Sequence, residues 1–136
     1  MTSENLSLLM RELRRPSTGS DLDASLVRKK RGANVFKTGD KGRFMFVVIE
    51  GVVEIKSNGR LLATVRAGDI FGEMALIHPD SRRTADAVAR EDSELMPVHQ
   101  QRLLKIIERE PEVAIELLRV FVSRLTAANQ NMKVEG

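Results

Sequence analysis

Short apolar segments separated by turn residues fill the middle of the chain, and this pattern limits the possible fold more than any other feature. Asn58-Gly59 lies between two of these segments and is among the most favourable hairpin turns, because both residue types tolerate positive φ. Many short strands at even spacing predict a β-sandwich or a β-barrel. The predicted strands cover residues 26–30, 33–37, 44–49, 52–56, 61–66, 84–89 and 94–98, with a further apolar run ending at Ile70-Phe71.

Helical spacing of apolar residues appears on both sides of the strands. Before them, a helix is predicted that Thr2 or Ser3 can cap and that Arg14-Arg15-Pro16 ends; its apolar positions are Leu6, Leu9, Met10 and Leu13. After His99, we expect a short helix over 99–110 and a longer one over 111–132, which Pro111 begins. The expected organisation is an N-terminal helical segment (1–23), which packs on the barrel or binds a partner, followed by one domain (24–136).

The last helix has two apolar faces. One face is a heptad seam, in which a polar residue would fix the register of a parallel pair; it consists of Ile115, Leu118, Val122, Leu125, Asn129 and Met132. The other face carries Leu117, Val120 and Phe121 and is left to pack on the strands. One stripe alone could be core, but two faces need two partners. We therefore expect a homodimer through this helix.

Composition narrows the class of protein. A chain of 136 residues has room for one domain and one core, and the absence of cysteine excludes disulfides and thiolate metal sites. Residues 1–4 do not resemble a signal peptide, and no apolar run reaches the ~20 residues that span a bilayer, so a cytoplasmic protein without a membrane contact is expected. The 22 basic residues exceed the 19 acidic ones by only +3 and are dispersed, which indicates solvated surface charge rather than a nucleic-acid interface.

A candidate anion site follows the run at Ile70-Phe71. Gly72 lets the backbone approach a ligand closely, and Met74-Ala75-Leu76 favours a helical turn whose free N–H groups can face an anion. Glu73 would repel phosphate, so it fits such a site only as an acceptor for neutral hydroxyls, as on a sugar. Arg83 can supply the countercharge, because its planar fork binds two oxygens at once.

These residues resemble the cyclic nucleotide-binding domain of catabolite-activator-type regulators, cyclic-nucleotide-dependent kinases and cyclic-nucleotide-gated channels. The resemblance covers roughly residues 24–129 and rests on Phe71-Gly72-Glu73, on Arg83-Thr84-Ala85 and on the order of the glycines. Those glycines are in Gly39-Asp40-Lys41-Gly42, at Gly51 and in Gly68-Asp69. The resemblance implies a mainly β fold: an eight-stranded jelly-roll β-barrel with flanking N-terminal and C-terminal helices.

The resemblance also implies roles for individual residues. Gly72 and Ala75 would offer backbone N–H groups, Glu73 would bind the ribose 2′-hydroxyl, Arg83 would pair with the cyclic phosphate, and Thr84 could add a hydroxyl. Arg82 is the alternative phosphate ligand, since adjacent strand residues point to opposite faces. The remaining expected ligand-binding residues are Phe71, Met74, Ala85, Asn129 and the pocket residues Ile55, Leu62 and Ala63; the last three could equally be plain core.

The expected ligand is cyclic AMP, with cyclic GMP as the alternative. In the family, a hydroxyl after the phosphate arginine often accompanies cyclic GMP recognition, although cyclic AMP binders have it too. Ala128 and Asn129 match the positions from which activator-type regulators complete the adenine site. Asn129 can serve both a dry seam and a ligand only if the ligand lies at the dimer interface.

The expected function is sensing rather than catalysis. His78 and His99 are far apart, no metal-ligand cluster is apparent, and no nucleophile, base and orienting group occur in triad order. No helix-turn-helix follows the last helix before Gly136, so no direct DNA binding is expected unless the sequence is a fragment of a larger assembly. We predict a population shift in which the ligand draws the C-terminal helices over the base and changes what they present to an unidentified downstream protein. The competing hypothesis is a protein-interaction module with a degenerate pocket, which the cost of burying Glu73 or Arg83 without a ligand disfavours.

Overall fold

The structure is a computed structural model that describes residues 6–15 and 25–135, with side chains described as far as Ala127. The strands are β1 (Val27–Lys29), β2 (Asn34–Phe36), β3 (Phe44–Glu50), β4 (Val52–Ser57), β5 (Arg60–Arg66), β6 (Ile70–Phe71), β7 (Asp86–Ala89) and β8 (Ser93–His99). The helices are α1 (Ser7–Leu13), α2 (Met74–Ile77), α3 (Gln100–Arg109) and α4 (Glu112–Glu135).

The eight strands form two antiparallel four-stranded sheets. One sheet has the order β1-β8-β3-β6 and the other the order β2-β7-β4-β5. The expected mainly β, jelly-roll-like fold with flanking helices is confirmed, but the sheets do not close into one barrel, because no strand is shared between them. Asn58 and Gly59 have φ of 54° and 77° and connect the paired ends of β4 and β5, as their turn preference predicts.

The predicted strand over 84–89 is wrong at its beginning. β7 starts at Asp86, and Thr84 and Ala85 lie in a bend before it. The backbone N–H of Arg83 donates to the carbonyl of Asp40 at 2.7 Å, and the Arg83 carbonyl accepts from the N–H of Gly39 at 2.9 Å. Arg83, which precedes β7, therefore pairs with the turn at Gly39-Asp40 rather than with a strand of the sheet.

Two apolar clusters form the core. One lies between the sheets and contains Val48, Val53, Val65, Phe71, Ala87 and Leu95. The other joins the sheet of β3 to the helices and includes Leu76 of α2, Leu103 and Ile106 of α3, and Val113, Leu117 and Val120 of α4. The second cluster thus packs the helices against the sheet that contains β3, and α2 lies within this contact.

Helix α1 packs on the C-terminal helices. Leu6, Leu9 and Leu13 belong to the same cluster as the apolar residues of α3 and α4. The carboxylate of Glu116 on α4 accepts hydrogen bonds from the backbone N–H groups of Leu8 and Leu9 at 2.9 and 2.8 Å. A distant side chain thus satisfies the free donors at the start of α1. The predicted caps, Thr2 and Ser3, lie outside the described residues.

Helix α4 buries one face and exposes the other. Leu117 and Val120 are buried, as predicted, whereas the seam residues Ile115, Leu118, Val122 and Leu125 are 46%, 53%, 60% and 54% exposed. The helix begins at Glu112 rather than at Pro111, whose carbonyl accepts from Ala114 in the turn before it, and it continues beyond the predicted end at residue 132. The side chains of Asn129 and Met132 lie outside the described part. Within the described ranges, no helix is both long and apolar enough to cross a membrane.

Candidate ligand-binding site

A cavity of about 200 Å³ lies where β4, β5, the α2 segment and α4 meet. Most of the predicted site residues line it, namely Ile55, Leu62, Ala63, Phe71, Gly72, Glu73, Met74, Ala75, Arg83, Thr84 and Ala85. Of the residues whose side chains the structure describes, Phe36, Phe121, Arg124 and Leu125 also line it. Asn129, the remaining predicted residue, lies outside the described side chains.

Gly72 lies in the cavity wall, close to the side chains of Arg83 and Phe36. Its φ is +82°, in the left-handed region that favours glycine. A Cβ at this position would come within 3.0 Å of Arg83 Nη1 and 3.3 Å of Phe36 Cε2. Gly72 therefore allows both the backbone conformation and the close approach of the arginine.

The side chain of Arg83 is only 6% exposed, and its backbone carbonyl partners hold it in place. Nη1 donates to the carbonyl of Gly72 at 2.9 Å, and Nη2 donates to the carbonyl of Phe44 at 2.7 Å. Nε is buried and has no hydrogen-bond partner among the described residues. Burial lowers the pKa of Arg83, and the carboxylates of Asp40 and Glu73 oppose that shift.

Arg82 differs from its neighbour in its surroundings. It is exposed, it does not line the cavity, and its Nη1 donates to the carbonyl of Gly39 at 2.8 Å. Of the two adjacent arginines, the one chosen from the sequence is therefore the one that the fold turns into the cavity.

Glu73 is buried beside an arginine that sequence reasoning missed. Arg124 of α4 donates from Nη1 to both carboxylate oxygens of Glu73 at 3.2 Å, and its Nη2 contacts Asp69 Oδ1 at 3.3 Å and the carbonyl of Ile70. Arg124 carries no motif of its own and lies between two seam positions, so only the helix packing reveals it.

The protein itself supplies partners for both buried charges. Arg124 neutralises Glu73, and Arg83 is held by backbone carbonyls and by the ring of Phe36, whose centroid is 4.0 Å from Cζ. The expectation that Glu73 would be costly to bury without a ligand is therefore wrong, whereas Arg83 keeps a buried Nε without a partner among the described residues. Their burial does not by itself exclude a degenerate pocket.

The apolar walls of the cavity come from strands and from α4. Ile55, Leu62 and Ala63 are half-buried and line the cavity, and Ile55 also packs against the cluster between the sheets. Phe121 and Leu125 close the cavity from α4, although the sequence placed them only in a packing face and in the seam. Their helical spacing gave no sign of this second role.

Thr84 lies at the exposed side of the cavity. Its Oγ1 contacts Met74 Sδ at 3.9 Å, a weak interaction that leaves the hydroxyl available to a ligand. No group of three or more acidic or histidine side chains in the described ranges is arranged to hold a metal ion.

Comparison with known proteins places the chain in a family. The family model described as "Cyclic nucleotide-binding domain" matches residues 26–110. The Cyclic AMP receptor protein of Thermus thermophilus is 35% identical over 104 residues, covering 73% of this chain and 48% of the relative. The Pycsar effector protein XpPycTIR of Xanthomonas perforans is 31% identical over 104 residues, covering 76% of this chain and 34% of the relative. The chain thus spans about half or less of the length of these relatives.

Solved structures share the fold. The Thermus thermophilus Catabolite Activator Protein superposes with a TM-score of 0.68 at 32% identity, covering 81% of this chain and 54% of that chain. A cAMP-bound PfPKA-R structure gives a TM-score of 0.73 at 17% identity, covering 95% and 44%, which shows similarity of fold alone. The extent of the family match and the identity to the Thermus relative agree with the residues around the cavity, and the chain belongs to the cyclic nucleotide-binding domain family.

Proposed function

We propose that the protein is a cyclic mononucleotide sensor that binds cyclic AMP in this cavity and does not transform it. The observation that carries the proposal is the position of Arg83: a buried guanidinium that lines the cavity and is held by one hydrogen bond from each Nη atom to a backbone carbonyl. These two bonds take up only part of its five N–H donors, and a ligand phosphate can accept charge-assisted hydrogen bonds from the others.

Glu73 supports recognition of a sugar next to that phosphate. Its carboxylate lies in the cavity wall directly after Gly72, and the ion pair with Arg124 orients it. A carboxylate neutralised in this way can accept a ribose hydroxyl without strongly repelling the phosphate. The apolar walls, including Ile55 and Leu62, suit the face of a base.

The choice of cyclic AMP is supported by the identity to the Thermus protein named Cyclic AMP receptor protein. One observation favours cyclic GMP instead: Thr84 lines the cavity, and its hydroxyl makes only a weak contact with Met74 Sδ among the described residues. Guanine carries an amino group at C2 that adenine lacks, and a threonine hydroxyl can accept a hydrogen bond from such a donor. Cyclic GMP is therefore the second candidate ligand.

Signalling is proposed to run through α4. This helix contributes Phe121, Arg124 and Leu125 to the cavity, and Arg124 binds Glu73, the residue proposed to bind the ribose. A ligand that competes for Glu73, or that packs under Phe121, changes the relative free energies of the positions open to α4. The ligand can thus shift the population of α4 conformations only by that difference in affinity.

We further propose that α4 mediates a homodimer in the cytoplasm. Its exposed stripe, Ile115, Leu118, Val122 and Leu125, repeats at heptad spacing and supplies apolar surface that one copy leaves uncovered. Leu125 belongs both to this stripe and to the cavity wall, so ligand and partner helix would meet at the same residue. A downstream protein would then recognise the changed arrangement of the paired helices.

Two arginine variants test the assignment of the phosphate site. Arg83→Ala should weaken binding of cyclic AMP by ~2–5 kcal/mol, because a desolvated phosphate loses its charged partner. Arg82→Ala is the matched control and should leave the affinity within about threefold of wild type, since an exposed charge contributes little. Calorimetric titration of both variants measures the difference. If Arg82→Ala is the variant that loses binding, the assignment is wrong, and if neither does, phosphate is not held here.

A further inference from the structure

Phe36 reaches the cavity because β2 contains a bulge. Asn34 pairs with Val88, and Phe36 pairs with Ala87. A step of two residues along β2 therefore corresponds to a step of only one residue along β7. Val35 and Phe36, neighbours that would face opposite sides of a regular strand, both pack against the cluster between the sheets. Bulges re-aim side chains in this way next to functional sites, and here the redirected ring lines the cavity.

The redirected ring lies against the guanidinium of Arg83. Arg83 Cζ is 4.0 Å from the centroid of Phe36 but 5.9 Å from that of Phe46, the neighbouring ring. The first distance is that of a close cation–π contact, and the second is near its limit. Phe36 is thus the aromatic residue that can act strongly on this charge.

The surrounding backbone leaves the guanidinium little freedom. A Cβ at Gly42 would fall 2.1–2.4 Å from Arg83 Nε, Cζ and Nη2, and one at Gly72 would come within 3.0 Å of Nη1. Gly72 would also meet Phe36 Cε2 at 3.3 Å, so ring, glycine and guanidinium pack directly on one another. Removing the ring would open space on one side of an otherwise enclosed group.

The ring differs from a polar partner in one chemical respect. An aromatic face stabilises a desolvated cation without occupying any of its N–H donors. Arg83 uses one N–H of Nη1 and one N–H of Nη2 on carbonyls, so these two bonds take up only part of its five N–H donors. A carboxylate in place of Phe36 would accept hydrogen bonds from this guanidinium, whereas the ring of Phe36 takes up none of its donors.

We propose that Phe36 is a positioning residue for Arg83, holding the guanidinium in the cavity wall so that its remaining N–H donors meet the phosphate of the bound cyclic nucleotide. This inference rests on the proposed function. It adds to that function a residue that acts on the phosphate through Arg83 rather than by touching it. The benefit to affinity is preorganisation, because an arginine that is already oriented loses less freedom on binding.

Phe36→Leu and Phe46→Leu form a matched pair, since each removes one ring of the same aromatic cluster. Phe36→Leu should weaken cyclic AMP binding roughly 5- to 30-fold, the range expected for a desolvated cation–π contact. Phe46→Leu should leave the affinity within about threefold of wild type, since its ring is at the distance limit. Phe36→Tyr, which keeps the ring face, should retain binding close to that of wild type.

A spectroscopic measurement separates positioning from a general loss of packing. In the ligand-free protein, the Arg83 Nε–H proton should show a ring-current shift that Phe36→Leu removes and Phe46→Leu preserves. Phe36→pentafluorophenylalanine keeps the approximate shape of the ring but removes the negative electrostatic potential of its face. This substitution should therefore weaken binding even if Phe36→Leu does not fold.

The outcomes distinguish the two proposals. If wild type binds neither cyclic AMP nor cyclic GMP, the proposed function fails and the role of Phe36 fails with it. Suppose that wild type binds a cyclic nucleotide and that Phe36→Leu and Phe36→pentafluorophenylalanine both bind it as tightly as wild type does. The role of Phe36 is then overturned, while the proposed function stands. An equal loss for Phe36→Leu and Phe46→Leu also overturns it, because packing alone would then explain the effect.

Discussion

Arg82 and Arg83 are adjacent in the sequence, but only Arg83 lines the cavity. Their side chains have the same chemistry, but one is exposed and bonds to the Gly39 carbonyl, whereas the other is buried in the cavity wall. The difference arises from the backbone bonds of Arg83 to Gly39 and Asp40, which fix the direction in which the chain enters β7. A sequence motif could select Arg83, but these long-range bonds are what place it.

Thr84 carries the prediction on base selectivity. Thr84→Val removes the hydroxyl and keeps the shape, so it should weaken cyclic GMP binding by roughly 2- to 10-fold, the value of one net hydrogen bond, and change cyclic AMP binding less. Competition titrations with both nucleotides measure the ratio. Thr64→Val, in β5 and outside the cavity lining, is the control. Equal losses for the two nucleotides would show that Thr84 does not select the base.

The sequence predicts the site residues that belong to local motifs, but not the residues that only tertiary packing places at the cavity. The segment from Phe71 to Ala75 and the residues Arg83 to Ala85 line the cavity, as their order in the chain suggested. Phe36 depends on a bulge and Arg124 on the docking of α4, and neither leaves a local pattern in the sequence. Contacts of this kind follow from the tertiary structure alone.

Among the elements, α1 is attached by two buried carboxylates. Glu116 of α4 binds its first N–H groups, and Glu12 of α1 accepts a hydrogen bond from Arg109 Nε of α3 at 2.8 Å. Glu12 Oε2 has no hydrogen-bond partner in the described part of the chain, but Arg15 Nε lies 3.5 Å away. Helix α1 therefore depends on charge as well as on its leucines to stay on α3 and α4.

This attachment predicts a dependence of stability on acid. The hydrogen bond from Arg109 lowers the pKa of Glu12 against the opposing effect of burial, and the positive charges of Arg15 and Arg11 add to the lowering. Because the folded pKa is depressed, the stabilisation is present above the unfolded value of about 4.3 and is lost as the pH falls through the folded pKa.

Denaturant unfolding of wild type and Glu12→Gln between pH 7 and pH 3 measures this contribution. Glu12→Gln should be less stable than wild type at pH 7, and the difference should shrink as the pH falls below ~4. Asp86, whose pKa is lowered by hydrogen bonds from Thr38, remains in both proteins and cancels in the comparison. A difference that stays constant over the whole range would show that the Glu12 charge does not stabilise the α1 contact.

At the scale of the whole molecule, α4 joins the core to the ligand site. Its buried face belongs to the core, its residues Phe121 and Arg124 line the cavity, and its apolar stripe is exposed. The sequence predicted both faces from their periodicity. It did not predict that the edge between them, at Leu125, would also belong to the ligand site.

The dimer prediction can be tested without touching the cavity. Leu118→Glu places a charge in the exposed stripe and should convert a dimer into a monomer, as measured by sedimentation velocity at tens of micromolar protein. Leu104→Glu on α3 is the control, because Leu104 is 53% exposed like Leu118 but lies outside the stripe. A wild-type monomer at these concentrations would contradict the proposed dimer, as would an unchanged dimer in the Leu118 variant.

The most direct test of the central claim is calorimetric titration of ligand-free wild-type protein with cyclic AMP and, separately, with cyclic GMP, using linear AMP and GMP as controls. We predict micromolar or tighter binding of at least one cyclic nucleotide, with cyclic AMP the tighter, and much weaker binding of the linear forms. This range corresponds to about 8 kcal/mol or more of binding free energy. No heat and no thermal stabilisation with either cyclic nucleotide would contradict the account and would favour a protein-interaction module instead.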